Sequence, residues 1–247
     1  MPSLYDPTMP TSFIMGMDAN NIYGWAMSQA MPDGNFKWLR EADRREMEYC
    51  LRQNNVRNKI FDKILKYIFE VDLEYPPHLH ERYNDYPLAP ELMIIKAEIT
   101  GEKQHELRTQ YFVAACPFTR KLVCSFLPKK HYVVLSHLRA FYLDRGMWLV
   151  NVHRAIRFFS SPYITGYIAN NTAIRQQYKH DDVKKNFYKL MNNAPYGKTI
   201  EKVARQSNIR LLNDMEMARK LAEPFANGFC VLEWSKLKMY ASILSLL

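Results

Sequence analysis

The run Phe69-Glu-Val-Asp-Leu-Glu-Tyr75 constrains the fold more than any other stretch of the chain. Phe69, Val71, Leu73 and Tyr75 alternate with Glu70, Asp72 and Glu74, the period of two that a strand with one buried face requires. The three carboxylates then share the opposite face. With no other ligand type nearby in sequence, that face reads as exposed strand and not as a metal cage. Pro76-Pro77 ends the strand, because proline cannot donate to a ladder. His131-Tyr-Val-Val-Leu135 reads as a further strand, Ser136 as an N-cap, His137 to Arg145 as a short helix and Gly146 as its stop. Met147 to Phe159 returns as a strand with Val150, Val152, Ile156 and Phe158 on one parity. A strand, helix and strand beside the Phe69 strand predict a sheet covered by helices, an α+β chain.

Other segments are weaker. Ser12 to Met17 is a short apolar run that reads as a strand ending at Asp18, with Asn20, Asn21 and Gly24 supplying turn chemistry. Arg40 to Leu65 lacks Gly and Pro and reads as a solvated helical element; Arg40 to Glu74 holds eight basic and eight acidic residues. Pro76 to Lys130 is rich in Pro, Tyr and charge, and reads as a loop-rich insertion. Thr172 to Gln177 and Val183 to Asn193 read as helices broken near His180-Asp181-Asp182. Asn208 to Leu212 reads as a strand and Gly228 to Tyr240 contains an apolar-rich helix.

Charge is unevenly spread. The chain carries +9, and Asn151 to Arg210 holds eleven Lys/Arg against Asp181, Asp182 and Glu201, which places +8 in that one segment. Concentrated charge of this kind is the footprint of a polyanion-binding surface, so nucleic acid or a nucleoside triphosphate is the expected partner. Within that segment, Val183, Phe187, Leu190 and Met191 have the spacing of a buried helical stripe. Lys185, Lys189 and Asn193 line a different face, offering ammonium donors to phosphate and an amide to a sugar. The four cysteines are scattered without a Cys-x-x-Cys pair, so they are expected to be reduced and buried, and structural zinc is not expected. No apolar run approaches the roughly 20 residues that span a bilayer, and the N-terminus has no leader pattern. No membrane partner is expected.

Asp18-Ala-Asn-Asn-Ile-Tyr23-Gly and Lys189-x-x-x-Asn193-Ala-Pro-Tyr196-Gly197 resemble two of the three palm-and-fingers motifs of B-family DNA polymerases. The resemblance is closest to the protein-primed branch found in adenoviruses, linear mitochondrial plasmids and self-synthesising transposons. Tyr23-Gly-Trp-Ala-Met-Ser, Leu88-Ala-Pro-Glu, Trp148-Leu-Val-Asn-Val-His-Arg and Gly197-Lys-Thr-Ile-Glu are similar to that branch, and the similarity covers most of the chain.

The resemblance implies a partial palm, a mainly antiparallel sheet with covering helices, joined to helical fingers. Its divisions are a palm start with the first motif (1–75), the loop-rich insertion (76–130), palm strand-helix-strand (131–160), fingers with the second motif (161–197) and a truncated palm continuation (198–247). The activity it implies is templated deoxynucleotidyl transfer with two Mg²⁺ ions. The implied partners are a DNA primer-template, deoxynucleoside triphosphates and, in this branch, a terminal-protein primer. Asp18 corresponds to a catalytic, metal-binding carboxylate and Tyr23 to the aromatic that stacks beneath the sugar and excludes a 2′-hydroxyl. Lys189 corresponds to the lysine on the triphosphate, where a cation meets charge that develops during transfer. Asn193, Tyr196 and Gly197 correspond to the end of that helix, which packs the nascent base pair. Arg175 and Lys179 follow from helical position alone as further phosphate contacts.

The chain departs from the pattern in several places. It contains no Asp-x-Asp, the third motif that supplies the remaining metal ligands. Asp18 lies almost at the N-terminus and the chain ends soon after a segment that in the family precedes the third motif, so the exonuclease and thumb are expected to be missing, with Leu244, Leu246 and Leu247 exposed. Gly24 stands where many relatives have Pro, and Ala194-Pro195 where Ser and another residue are usual; Pro195 is expected at a helix exit, where it costs little. These departures keep a second reading open, a non-catalytic nucleotide- or nucleic-acid-binding remnant.

Overall fold

A computed structural model describes residues 20–52, 65–94, 102–111, 120–178, 180–201 and 215–245. In chain order the elements are α1 (Ile22–Met27), β1 (Met31–Trp38), α2 (Glu41–Arg52), β2 (Leu65–Glu74), α3 (His78–Arg82), β3 (Glu91–Ile94) and α4 (Glu102–Gln110). They continue with β4 (Arg120–Val123), β5 (Lys129–Leu135), α5 (Ser136–Asp144), β6 (Trp148–Ser161), α6 (Thr165–Gln177), α7 (Asp182–Thr199) and α8 (Met215–Leu244). The expected strands at Ser12–Met17 and Asn208–Leu212 lie outside the described residues.

The alternation in β2 holds, and the strand is central. It pairs antiparallel with β5 on one side and β6 on the other, and β1 closes the far side of β6, giving the order β1-β6-β2-β5. The fold is α+β. Phe69, Val71 and Leu73 are fully buried with Val134, Leu138, Tyr142, Val152 and Ala155; burying one such side chain is worth about 1.5–3 kcal/mol. Ile68 faces the other way, onto a second cluster built from Ala26, Met27 and Met31 with Leu135, Phe158, Ile168, Cys230 and Val231. That second cluster ties α1, α6 and α8 to the sheet.

The structure revises several expectations. The parity expected for β6 fails because a register shift opposite Glu70 and Val71 interrupts the ladder, so Val152 joins Ala155 in the first cluster while Phe158 lies in the second. Ser136 begins α5 without capping it: Leu135 is the N-cap residue and no side chain closes the end. Gly146 does stop α5, at φ 98°, a conformation glycine adopts without cost. Among the described residues of 76–130, α3, α4 and the antiparallel pair β3-β4 give more regular structure than a loop-rich insertion. Cys124 is exposed and Cys230 buried, so burial is not uniform among the thiols. Leu244 packs against the first core cluster and is not an exposed end.

Two polar devices anchor the region after β2. The hydroxyls of Tyr75, Tyr132 and Tyr240 donate to the carbonyls of Leu88, Pro90 and Pro87 at 2.7, 3.1 and 3.1 Å. Tyr75 and Tyr132 are buried and Tyr240 partly so, and that burial pushes each phenol's pKa well up, so each stays a donor at any physiological pH. Lys129, whose side chain is inaccessible, donates to Glu91 and Ser125 at 2.8 Å each; a buried ammonium requires such partners. No helix among the described residues is long and apolar enough to cross a membrane.

Candidate functional site

Two regions of the structure gather chemistry. The first lies where α1, α6 and α7 meet. Asn21 precedes α1 in a left-handed conformation, φ 54°, which an asparagine tolerates better than most residues. α1 then carries Tyr23 outward. A break at Tyr178 to Asp181 separates α6 from α7, and the Asp181 carboxylate accepts the Lys184 N–H at 3.0 Å. That bond leads in holding the Asp181 carboxyl below its ordinary range, and it is an N-cap in the ordinary sense.

α7 does not stop at Asn193 as expected. It runs through Pro195 and Gly197 to Thr199. Nor is its apolar stripe buried: Val183, Phe187 and Leu190 are 81%, 52% and 64% exposed. The packed side holds Asn192 instead, which donates to Thr172 Oγ1 of α6 at 3.2 Å, with Tyr178 and Tyr188 stacked at 6.3 Å. At the far end of α7, a Cβ on Gly228 of α8 would fall 2.8 Å from Ile200 and 2.9 Å from Thr199, so that crossing requires glycine.

This geometry distributes the sequence-derived residues as follows. Lys189, Asn193 and Gly197 occupy successive turns on the exposed side of α7. A Cβ added at Gly197 would meet nothing within 4 Å, so the surface there is open to approach. Tyr196 stacks on Tyr23, ring centroids 4.5 Å apart and planes 22° off parallel. Burial, and then the Tyr23 neighbour, push the Tyr196 phenol pKa up. Lys184 is held by Asp181 at 3.4 Å and lies over the Tyr178 ring, and Lys198 pairs with Glu201. Among the described residues, no ion pair engages Lys189. Arg175 is half-buried near the end of α6. Asp18 and Lys179 lie outside the described residues.

Sequence reasoning missed the cavity beside these residues. A space of about 440 Å³ opens between Asn20, Asn21, Trp25 and Ser28 on one side and Ile168, Thr172 and Gln176 on the other. Asn20 and Asn21 belong to the first motif, and Gln176 adjoins Arg175. The available signal is the Asn-Asn pair, whose amides serve a pocket wall as well as a turn.

The second region is the open face of the sheet. Here the carboxylates are not the exposed row that the alternation suggested. Asp72 is only 4% exposed. It accepts the His131 backbone N–H at 2.9 Å and Asn151 Nδ2 at 3.0 Å, and His153 Nε2 lies 2.9 Å away. Glu70 accepts from Arg154 Nε at 2.5 Å and His131 Nδ1 at 2.8 Å. The two imidazoles stack at 4.0 Å. Burial alone would raise the Asp72 pKa, but the hydrogen bonds from Asn151, His131 and His153 outweigh it and hold the carboxyl well below the ordinary range. Arg154, then His131, lower Glu70 in the same direction.

A carboxylate whose folded pKa is depressed contributes stability above its unfolded value, and loses it as pH falls toward the folded one. Melting temperatures should therefore hold level above about pH 5 and fall on the acid side. In Glu70→Gln that acid limb should be shallower. Thermal melts from about pH 3 to 7 measure it, and an unchanged limb would remove Glu70 from the account.

Among the described residues, no group of three or more His, Cys, Asp or Glu could hold a metal ion. Glu70 and Asp72 are committed to cationic and amide donors, so they are not spare ligands.

Residues 9–239 match the family model described as DNA polymerase type B, organellar and viral. No curated protein and no solved structure matches the chain.

Proposed function

Because the chain belongs to the organellar and viral type B DNA polymerases, we propose that α1, α6 and α7 form a deoxynucleoside triphosphate site serving templated transfer on a DNA primer-template. The observation that carries this reading is the stack of Tyr23 on Tyr196 at 4.5 Å. It joins the two motifs, far apart in sequence, at one point. Under this reading the sugar lies against Tyr23, the base against Asn193 and Gly197, and the triphosphate runs toward Lys189 and Arg175. Asp18 and Lys179 complete the proposed set. The palm, insertion and fingers divisions at 1–75, 76–130, 131–160, 161–197 and 198–247 are part of the same proposal, as is a terminal-protein primer.

B-family polymerases generally use divalent metal ions, which activate the primer hydroxyl and stabilise the leaving group. The described residues do not fit that requirement, since Glu70 and Asp72 are engaged elsewhere. This observation supports a second reading: a chain that binds nucleotide and DNA without catalysing transfer.

Primer extension with Mg²⁺ and all four deoxynucleotides, beside Asp18→Ala and a parallel DNA-binding titration, separates the two. Extension abolished by Asp18→Ala is expected if the chain is a working polymerase. Binding without extension supports the second reading. Absence of both nucleotide and DNA binding would sink the site as drawn.

A further inference from the structure

Pro195 lies inside α7, where a proline removes one backbone donor and its ring presses on the carbonyl four residues earlier. That carbonyl belongs to Met191. It is not orphaned, because the Tyr167 hydroxyl of α6 donates to Met191 O at 3.0 Å. The residues that flank this proline are the ones assigned to the nucleotide: Lys189 and Asn193 on one side, Tyr196 and Gly197 on the other. A side chain from the neighbouring helix thus supplies the hydrogen bond that the helix cannot make for itself.

We propose that Tyr167 is a positioning residue, which holds the turn of α7 that precedes Pro195 and so sets Tyr196 against Tyr23 at a defined distance from Lys189. This rests on the nucleotide reading for its functional consequence, but its structural content stands separately. Tyr167 also sits one residue before Ile168, which is buried in the second core cluster, so the hydroxyl is aimed from a fixed part of α6. Asn192 and Thr172 add a second link one turn along. Two hydrogen bonds thus tie α6 to the turn of α7 that precedes the proline.

The test is a cycle of four full chains: wild type, Tyr167→Phe, Pro195→Ala, and both together. Pro195→Ala restores an N–H that can reach Met191 O, so the tyrosine hydroxyl becomes dispensable in that background. With mant-dATP as the probe, Tyr167→Phe should weaken binding roughly threefold to tenfold in the wild-type background and less than about twofold in the Pro195→Ala background. Amide exchange at Tyr196 and Gly197 should accelerate in Tyr167→Phe and return toward wild type in the double variant. Equal losses in both backgrounds would overturn the proposal, because a hydroxyl that serves only general packing does not depend on residue 195. If the wild type binds no mant-dATP, the nucleotide reading fails, and the exchange cycle alone decides whether Tyr167 holds this part of α7.

Discussion

Asp72→Ala should cost about 1–3 kcal/mol of stability, the range for leaving hydrogen-bonding groups without their buried acceptor. The carboxylate is nearly inaccessible and sits where both flanking ladders slip register: β5 shifts between its partners for Val71 and Leu73, and β6 shifts on either side of Asp72. Bulges leave backbone groups unpaired. At this one, the His131 N–H, in a residue at φ 53°, is taken up by Asp72 Oδ1. Alanine would strand that N–H, the Asn151 amide and His153 together. Asp72→Asn keeps an acceptor for the backbone but loses the charge, and should fall between wild type and alanine. Urea denaturation of the three chains measures this. A loss below about 1 kcal/mol for alanine, typical of an ordinary surface position, would mean that water replaces the carboxylate and the cluster is not structural.

Lys189→Ala carries the other large effect. Lys189 projects from the exposed side of α7, and no described side chain neutralises it, unlike Lys184 and Lys198 on the same helix. Hydrogen bonds to charged groups are worth about 1.5–3 kcal/mol, so dATP should bind roughly 10- to 100-fold more weakly to the variant. Deoxyadenosine, which lacks the phosphates, should bind both chains alike, and Lys189→Arg should recover part of the loss. Titration of intrinsic fluorescence is a suitable readout, since Trp25 lines the adjoining cavity. If dATP binds Lys189→Ala as it binds wild type, the triphosphate does not run along this face.

The sheet was legible where its information is local. The alternation in Phe69–Tyr75 names a strand because the period is set by the backbone itself. What became of its carboxylates was not legible, since their partners come from β5 and β6, 61 and 84 residues away for Glu70. A row of acids on a strand face does carry one usable hint: a basic row should be sought on its neighbours. Arg154 and the two histidines are that row. The β6 parity failed for the same reason, because bulges depend on the partner strand and leave no trace in the alternation.

The α7 region shows a different limit. Helical spacing identified the correct segment and the Lys189-Asn193 column, yet assigned the wrong face to the interior. Val183, Phe187 and Leu190 are the more hydrophobic choice, but Asn192 faces α6 because Thr172 is there to receive its amide. Pro195 likewise read as an exit, since nothing in the sequence announces a tyrosine hydroxyl from another helix. Of the proposed site, the pairing of the two motifs was implied by the resemblance. The contact of Tyr23 with Tyr196 and the adjoining cavity required coordinates.

The strand order has a consequence for how the chain assembles as it leaves the ribosome. β6 is the keystone that joins β1 to β2, and its pairing with β1 brings Met31 opposite Ser161. Until the last residues of β6 have been synthesised, β1 has no partner in the sheet and β2 can pair only with β5. Contacts of such long sequence separation form slowly, and an unpaired strand edge invites association with other chains. A nascent chain halted before β6 would therefore display two open edges, and a chaperone that shields extended segments would be needed most during that interval.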